Sequence, residues 1–352
     1  MVNESIVAHN DLILVTGSNG FIGSRVLGTL LREGYKNLRC FVRPSSDLTK
    51  MKKILTISDG SDIEVFKGNL LSRDDCEKAV AGVSLIYHLA AGRGEKSYPD
   101  AYLNSVVTTR NLIDAALRDN KIKRFLCVSS FSVYTTIRKK RRKLIDESWE
   151  VEAKPALRGE AYCYAKVKQE EMVVNYGILR NLPYVIVRPG AVYGPGNKGI
   201  TGRVGISTFG IFLHMGGSNR IPLSYVDNCA DAIVLAGLKK GLDGEIFNIF
   251  DDDPPTSRQF LKMYKENVRR FVSIYIPHSV SYMLCALWER YSKWSNGQLP
   301  PVFNRRRWYA EWKDNRYSNK KIKEIVGWRQ NVSFLNACRQ YFESERKSGW
   351  NR

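Results

Sequence analysis

Residues 12–23 read Leu12-Ile-Leu-Val-Thr-Gly-Ser-Asn-Gly-Phe-Ile-Gly23, an apolar run passing straight into glycines at positions 17, 20 and 23. A short apolar run bounded by a turn signal is the pattern of a strand buried on both faces, so Leu12 to Val15 are predicted to lie inside a parallel sheet. Gly17 lets the chain turn tightly, and Gly20 removes the Cβ that would hold the backbone away from a diphosphate. Gly23 lets the following helix pack close to the strand. The run Phe21 to Arg32 is predicted helical, which aims free N–H groups and a positive dipole end at the phosphates. Gly17, Asn19, Gly20, Phe21, Ile22 and Gly23 thus read as a phosphate-binding turn for a dinucleotide.

Working outward, strand candidates recur at 12–15, 38–42, 63–66, 84–88, 124–129, 184–187 and 246–249, with helical stretches between the first six. Such alternation implies right-handed crossovers and a Rossmann-type, doubly wound α/β fold with a parallel sheet. Past residue 190 the pattern loosens. Residues 1–190 are expected to form the dinucleotide-binding domain, which also receives strand 246–249. Residues 191–352 are expected to form a smaller, mostly helical substrate lobe interleaved with it.

The chain has 352 residues, is 43% apolar and carries seven Trp, 18 Tyr and 14 Phe, enough for a substantial core. Its seven cysteines are scattered singly and it has four isolated histidines, a pattern that suits buried thiols in a reducing cytoplasm. Neither a disulfide framework nor a metal site is expected. Met1-Val-Asn-Glu-Ser-Ile6 shows no secretory pattern, and no run reaches the ~20 apolar residues of a membrane span. The nearest candidate, Val272 to Trp288, is broken by Pro277 and His278. The net charge of +20, with its densest run at Arg138–Lys143, favours an anionic small-molecule substrate or an acidic membrane surface. No aromatic RNA-recognition pattern accompanies the charge, so nucleic acid is not an expected partner.

Residues 162–170 read Tyr-Cys-Tyr-Ala-Lys-Val-Lys-Gln-Glu. On a helix Tyr162 and Lys166 share a face. A free tyrosine, with a pKa near 10, is a poor base at neutral pH. A neighbouring ammonium favours the phenolate, so the pair can exchange a proton with an alcohol or ketone. Lys166 is also placed to hold a cofactor ribose. Tyr164 and Lys168 fit the same spacing, and helix geometry alone does not choose between the pairs. Upstream, strand 124–129 ends in Val128-Ser-Ser-Phe-Ser-Val-Tyr134, where a hydroxyl can steady charge developing on a substrate oxygen.

Together these motifs resemble the extended short-chain dehydrogenase/reductase family, of the NAD-dependent epimerase/dehydratase type, over nearly the whole chain. Thr16-Gly-Ser-Asn-Gly-Phe-Ile-Gly23 is similar to its nucleotide loop. Tyr87-His-Leu-Ala-Ala91 is similar to the segment beneath the cofactor, which implies contacts from Leu89, Ala90 and Ala91. Asn104 matches an Asn that faces the active site. Ser130 matches the catalytic hydroxyl, with Ser129 beside it on the cofactor side. Tyr162-x-x-x-Lys166-x-x-x-Glu170 fits the catalytic helix and selects Tyr162 over Tyr164. Arg188-Pro-Gly-Ala-Val-Tyr-Gly-Pro195 resembles the segment whose backbone, at Pro189 and Val192, meets the nicotinamide carboxamide. The resemblance also implies a homodimer through paired helices.

The second strand ends in Val42-Arg43 with no acidic residue, and a guanidinium suits a 2′-phosphate, so NADP is expected over NAD. Asn69-Leu70 stands where the family often has Asp-Leu beside the adenine. Sugar-nucleotide epimerases commonly carry an Asn where this chain has Ala191. The expected function is an NAD(P)-dependent oxidoreductase or epimerase acting on a secondary alcohol or ketone of a sugar nucleotide or glycosyl intermediate. One alternative is a 3β-hydroxysteroid dehydrogenase-like enzyme, for which Gly216-Gly-Ser-Asn219 and Ile276 to Trp288 argue, working on a hydrophobic alcohol at the membrane periphery. Another is a non-catalytic NADP-binding scaffold, against which the Ser130, Tyr162 and Lys166 set argues.

Overall fold

The computed structural model describes residues 4–49, 51, 54, 62–92, 97–137, 144–295, 298 and 303–347. The basic run 138–143 and Lys50 therefore lie outside the described residues. The apolar run before the glycines is β1 (Leu12–Thr16), followed by β2 (Asn37–Val42), β3 (Asp62–Lys67), β4 (Val83–His88), β5 (Arg124–Val128), β6 (Tyr184–Pro189) and β7 (Glu245–Ile249). These form one parallel sheet in the order β7-β6-β5-β4-β1-β2-β3. The chain winds outward from β1 to β3, then crosses back to β4 and winds the other way. The crevice at the carboxyl ends of β1 and β4 is the switch point where such sheets bind ligands.

Helices cover both faces, which is why β1 is apolar throughout. Ile13 and Val15 point into a cluster with α1 (Gly23–Arg32), while Leu14 points into the opposite cluster with α2 (Arg73–Val80) and α3 (Thr108–Asp119). This is the two-residue alternation of a strand buried on both sides. A short helix, Tyr98–Tyr102, and a π turn, Leu103–Val107, lead into α3. The long helix α4 (Ala161–Arg180) packs on the α3 side through Val173. On the α1 side lies α5 (Val226–Leu238), with Ile322, Val326 and Trp328 in the same cluster. So α5 and the 322–328 segment join the sheet's core from beyond residue 190, as β7 does. The fit is close: Tyr87 donates to the Val234 carbonyl at 2.9 Å, and a Cβ on Gly237 would come within 2.4 Å of the Tyr87 ring.

The remaining elements stand around the carboxyl-end loops. Ala191–Tyr193 pairs with Leu223–Tyr225, and the hairpin Gly205–Thr208/Ile211–His214 pairs with Ser273–Tyr275. They pack with α6 (Ser257–Asn267), α7 (His278–Trp294), α8 (Arg305–Glu311) and α9 (Phe334–Lys347) around two further apolar clusters. The apolar stretch 272–288 splits at Pro277 into the strand Ser273–Tyr275 and α7. One face of α7 buries Cys285 against Trp308 and Trp312, and the other leaves Met283, Leu284, Leu287 and Trp294 exposed. No helix among the described residues is long and apolar enough to cross a membrane. All seven cysteines are free and buried.

Candidate active site

The glycine loop does in three dimensions what its spacing predicts. Gly17 has φ +70°, and a Cβ there would lie 3.0 Å from the Ala90 nitrogen. A Cβ on Gly23 would come within 2.1 Å of the Gly17 carbonyl oxygen, so the turn and the start of α1 close only around a bare Cα. No side chain caps α1 and no acid sits in its first turn. The Ser24 and Arg25 amides donate to the Gly20 and Ile22 carbonyls, and the positive end of the dipole is left for an anion. The Leu89 amide donates to the Thr16 carbonyl at 3.2 Å and the Ala90 amide to Thr16 Oγ1 at 3.3 Å, which lays Leu89, Ala90 and Ala91 alongside Gly17.

The ends of β2 and β3 complete this edge. Asn19 donates to the Asp47 carbonyl at 3.4 Å, and Arg43 is exposed just past β2. Exposed Asn69 accepts the Leu71 amide at 3.0 Å, whereas Leu70 is buried and its carbonyl accepts from Asn111. The residues present fit a dinucleotide: an uncapped helix end, a glycine cradle and a second strand that ends in Val42-Arg43 without an acid.

At the end of β5, Ser130 Oγ accepts the Ser132 amide at 3.1 Å, which starts a 3₁₀ turn and holds the hydroxyl at the sheet's edge. The Ser130 hydroxyl lies close enough to the Tyr162 phenol to favour its ionised form. Lys166 is buried and donates to the Val128 carbonyl at 2.7 Å and to Gln169 Oε1 at 2.9 Å. The spacing predicts that Lys166 lowers the phenol's pKa. The phenol instead lies above its ordinary value, because burial outweighs the opposing influence of the nearby Ser130 hydroxyl. Burial likewise pulls the Lys166 ammonium below its usual range.

Glu170 ties this corner together. It accepts from Ser129 Oγ at 2.6 Å and from Arg188 Nε at 3.1 Å on both oxygens. Arg188 lies over the Tyr134 ring, and Tyr134 donates to Asn248 Oδ1 at 2.7 Å. Helix α4 is thereby bolted to the ends of β5, β6 and β7. Beyond Arg188, Pro189 is buried and Val192 half-buried. The intervening Gly190 is held so tightly that a Cβ would come within 2.2 Å of the Pro222 carbonyl oxygen. Asn104 lies in the π turn next to Gly92, but its amide donates to the Asp100 carbonyl and carboxylate, at 3.0 and 3.1 Å.

Two groups escape a sequence reading. Arg158 donates to the Ser132 carbonyl at 2.6 Å and meets Glu160 at 2.5 Å and Glu311 at 3.7 Å. Arg307 also reaches Glu160, and Arg203 lies over the Tyr317 ring, which stacks on Phe131. Arg158 and Arg307 thus share Glu160, two residues before Tyr162, and Arg203 stands one ring from Phe131, the neighbour of Ser130. The second group, Gln169, Thr109 and His88, is buried below Lys166. The only signal in the sequence is that Gln169 lies three residues after Lys166, on the same helical face.

The pattern defining the NAD-dependent epimerase/dehydratase family matches residues 13–249. A trifunctional UDP-glucose 4,6-dehydratase/UDP-4-keto-6-deoxy-D-glucose 3,5-epimerase/UDP-4-keto-L-rhamnose-reductase of Arabidopsis thaliana is 30% identical over 252 residues, 67% of this chain and 36% of that protein. Sterol-4-alpha-carboxylate 3-dehydrogenase (decarboxylating) of Saccharomyces cerevisiae is 28% identical over 268 residues, 69% of this chain and 72% of that protein. UDP-glucuronic acid 4-epimerase from Bacillus cereus, solved with UDP-glucuronic acid and NAD, shares the fold with a TM-score of 0.71 at 19% identity, over 96% of this chain and 100% of that one. The chain matches between 36% and 59% of the length of the first three curated relatives. The family match takes in the glycine loop, Ser130, Tyr162 and Lys166. The chain belongs to the NAD-dependent epimerase/dehydratase family.

Proposed function

We propose that this protein is an oxidoreductase or epimerase that interconverts a secondary alcohol and its ketone on a sugar nucleotide or related anionic glycosyl compound. The observation that carries the reading is the position of Ser130 at the carboxyl end of β5, near enough to the Tyr162 phenol to act on its ionisation, with the buried Lys166 on the Val128 carbonyl, in a sheet whose β1 edge holds the glycine loop. A bound nicotinamide would supply or accept the hydride. Tyr162 gives the proton to the carbonyl oxygen, or takes it from the hydroxyl in the other direction. Ser130 donates to that oxygen as its charge develops. Lys166 stabilises the phenolate left behind.

The arginine group supports an anionic substrate. Arg158 is buried on the Ser132 carbonyl, and half-buried Arg203 lies over the Tyr317 ring that stacks on Phe131, next to Ser130. NADP is the dinucleotide favoured, on the exposed Arg43 and the absence of an acid at the end of β2. Replacing Arg43 by Ala should weaken NADPH binding about tenfold and leave NADH within about twofold, read by cofactor fluorescence. A paired-helix homodimer is supported by Leu103, Ile178 and Leu179, which are exposed on the π turn and α4.

The experiment is to identify any dinucleotide that copurifies by mass spectrometry, then screen sugar nucleotides and sterols with Tyr162→Phe as the blank. Turnover of a sugar nucleotide by the wild type alone bears the reading out. Turnover of sterols alone favours the second reading, a hydrophobic alcohol at a membrane surface, for which the exposed apolar face of α7 speaks. Flotation with anionic vesicles would then be lost in Leu284→Glu and Leu287→Glu. Trp288 is no surface control, since its ring packs on Phe303 at 5.7 Å.

A further inference from the structure

Beneath Lys166 runs a line of side-chain hydrogen bonds that none of these roles uses. Gln169 Oε1 accepts from Lys166 at 2.9 Å, and Gln169 Nε2 donates to Thr109 Oγ1 at 2.7 Å. Thr109 Oγ1 donates one turn back to the Ser105 carbonyl and stands 2.7 Å from His88 Nε2. His88 Nδ1 lies 2.8 Å from Thr16 Oγ1, which accepts the Ala90 amide at 3.3 Å. Thr16, His88 and Thr109 are 0% exposed, Gln169 1% and Lys166 4%.

The direction of each bond can be assigned from the network. The Thr109 proton goes to Ser105, so its oxygen accepts from both Gln169 and His88 Nε2. His88 Nδ1 is then the acceptor, and the Thr16 hydroxyl donates to it. This is a neutral imidazole with every polar group paired. Burial and the Lys166 ammonium independently push the His88 pKa down to about 3, which keeps the ring neutral. A side-chain amide does not hand protons along, so the line is a brace for the ammonium and not a path for its proton.

We propose that Gln169, held by Thr109, His88 and Thr16, is a positioning residue for Lys166. It takes one N–H of the ammonium and the Val128 carbonyl takes a second, at 2.7 Å, which leaves one N–H for the reacting side. The brace ends at Thr16 and Ala90 beside Gly17, so the ammonium is set in register with the loop that cradles the dinucleotide. The chemical consequence rests on the reading of Lys166 as the partner of the Tyr162 phenolate.

The test uses the full chain with NADH or NADPH present and two readouts. One is the Lys166 ammonium signal in ¹⁵N-lysine-labelled protein, assigned by its loss in Lys166→Met. The other is the ionisation of Tyr162, taken as the tyrosinate absorbance difference between each variant and the same variant carrying Tyr162→Phe. Gln169→Leu and the nearly isosteric Thr109→Val should broaden the ammonium signal away and move the Tyr162 ionisation up by about one pH unit, a tenfold loss of phenolate. Thr109→Ser, which keeps the hydroxyl, should restore both. An ammonium signal unchanged in Thr109→Val overturns the brace. A signal lost while Tyr162 ionises as in the wild type upholds the brace and instead counts against Lys166 as the phenol's partner. Should Gln169→Leu not fold, the Thr109 pair decides alone.

Discussion

Helix α4 carries two tyrosine–lysine pairs with identical spacing, and their surroundings differ in every respect that bears on chemistry. Tyr162 has the Ser130 hydroxyl as a neighbour that acts on its ionisation, and its Lys166 is buried between a carbonyl and an amide. Tyr164 instead packs its ring against Tyr98 and Tyr102, at 5.5 and 6.3 Å. Its Lys168 pairs with Glu171 at 2.7 Å, with both side chains more than a third exposed. The difference teaches that spacing supplies only a shared face. A hydroxyl at a strand end, a desolvated ammonium and a glycine loop across the crevice are what mark one face as the reactive one in the proposed function, and the other face has none of them.

The largest effect that would sharpen this contrast is on turnover. Lys166→Met should lower kcat about a thousandfold, while Lys168→Met should change it less than about twofold. Ser130→Ala should cost about a hundredfold in kcat with little change in dinucleotide binding, since its hydroxyl acts on the reacting oxygen. Stability should divide the two sides as well. Glu170→Gln leaves Arg188 buried and should cost about 3 kcal/mol in denaturant unfolding. Glu171→Gln, which breaks the exposed pair, should cost less than about 0.5 kcal/mol.

A smaller, pH-dependent effect belongs to the reactive side alone. The folded protein holds His88 at a pKa of about 3, below the ordinary 6.5. The unfolded chain therefore binds the proton first, and stability is lost as pH falls from about 6.5 toward about 3. The slope attributable to this ring is up to about 1.4 kcal/mol per pH unit, and it should be absent in His88→Gln. An unchanged acid slope in that variant would show that His88 is not held neutral by the fold.

The sheet was legible because buried parallel strands are continuous apolar runs. The seven strand candidates match β1 to β7 to within two residues at each end. The short pairs at Ala191–Tyr193 and Leu223–Tyr225 were not, since three-residue strands are defined by their partners and not by a pattern of their own. Ser130, Tyr162 and Lys166 were legible because each sits at a fixed offset from a strand end or along a helix. The brace was not. Its bonds join residues 72, 21 and 60 positions apart, and only Lys166 to Gln169 is local. Arg158 and Arg203 were hidden for the same reason. Nothing in the sequence says that both will meet α8, Arg158 at Glu311 and Arg203 at the Ala310 carbonyl. The sign of the Tyr162 shift was missed because spacing reports a shared helical face but not the burial that raises the phenol.

The central claim is that the Tyr162 face of α4 carries the proton transfer. Its most direct measurement is the turnover of Tyr162→Phe and Tyr164→Phe side by side, in the assay that the substrate screen identifies, with dinucleotide binding followed in both. The account predicts that Tyr162→Phe loses about three orders of magnitude in kcat and still binds the dinucleotide, while Tyr164→Phe stays within about twofold of the wild type. Tyr162→Phe retaining a tenth or more of wild-type turnover, or the larger loss falling on Tyr164→Phe, would contradict it.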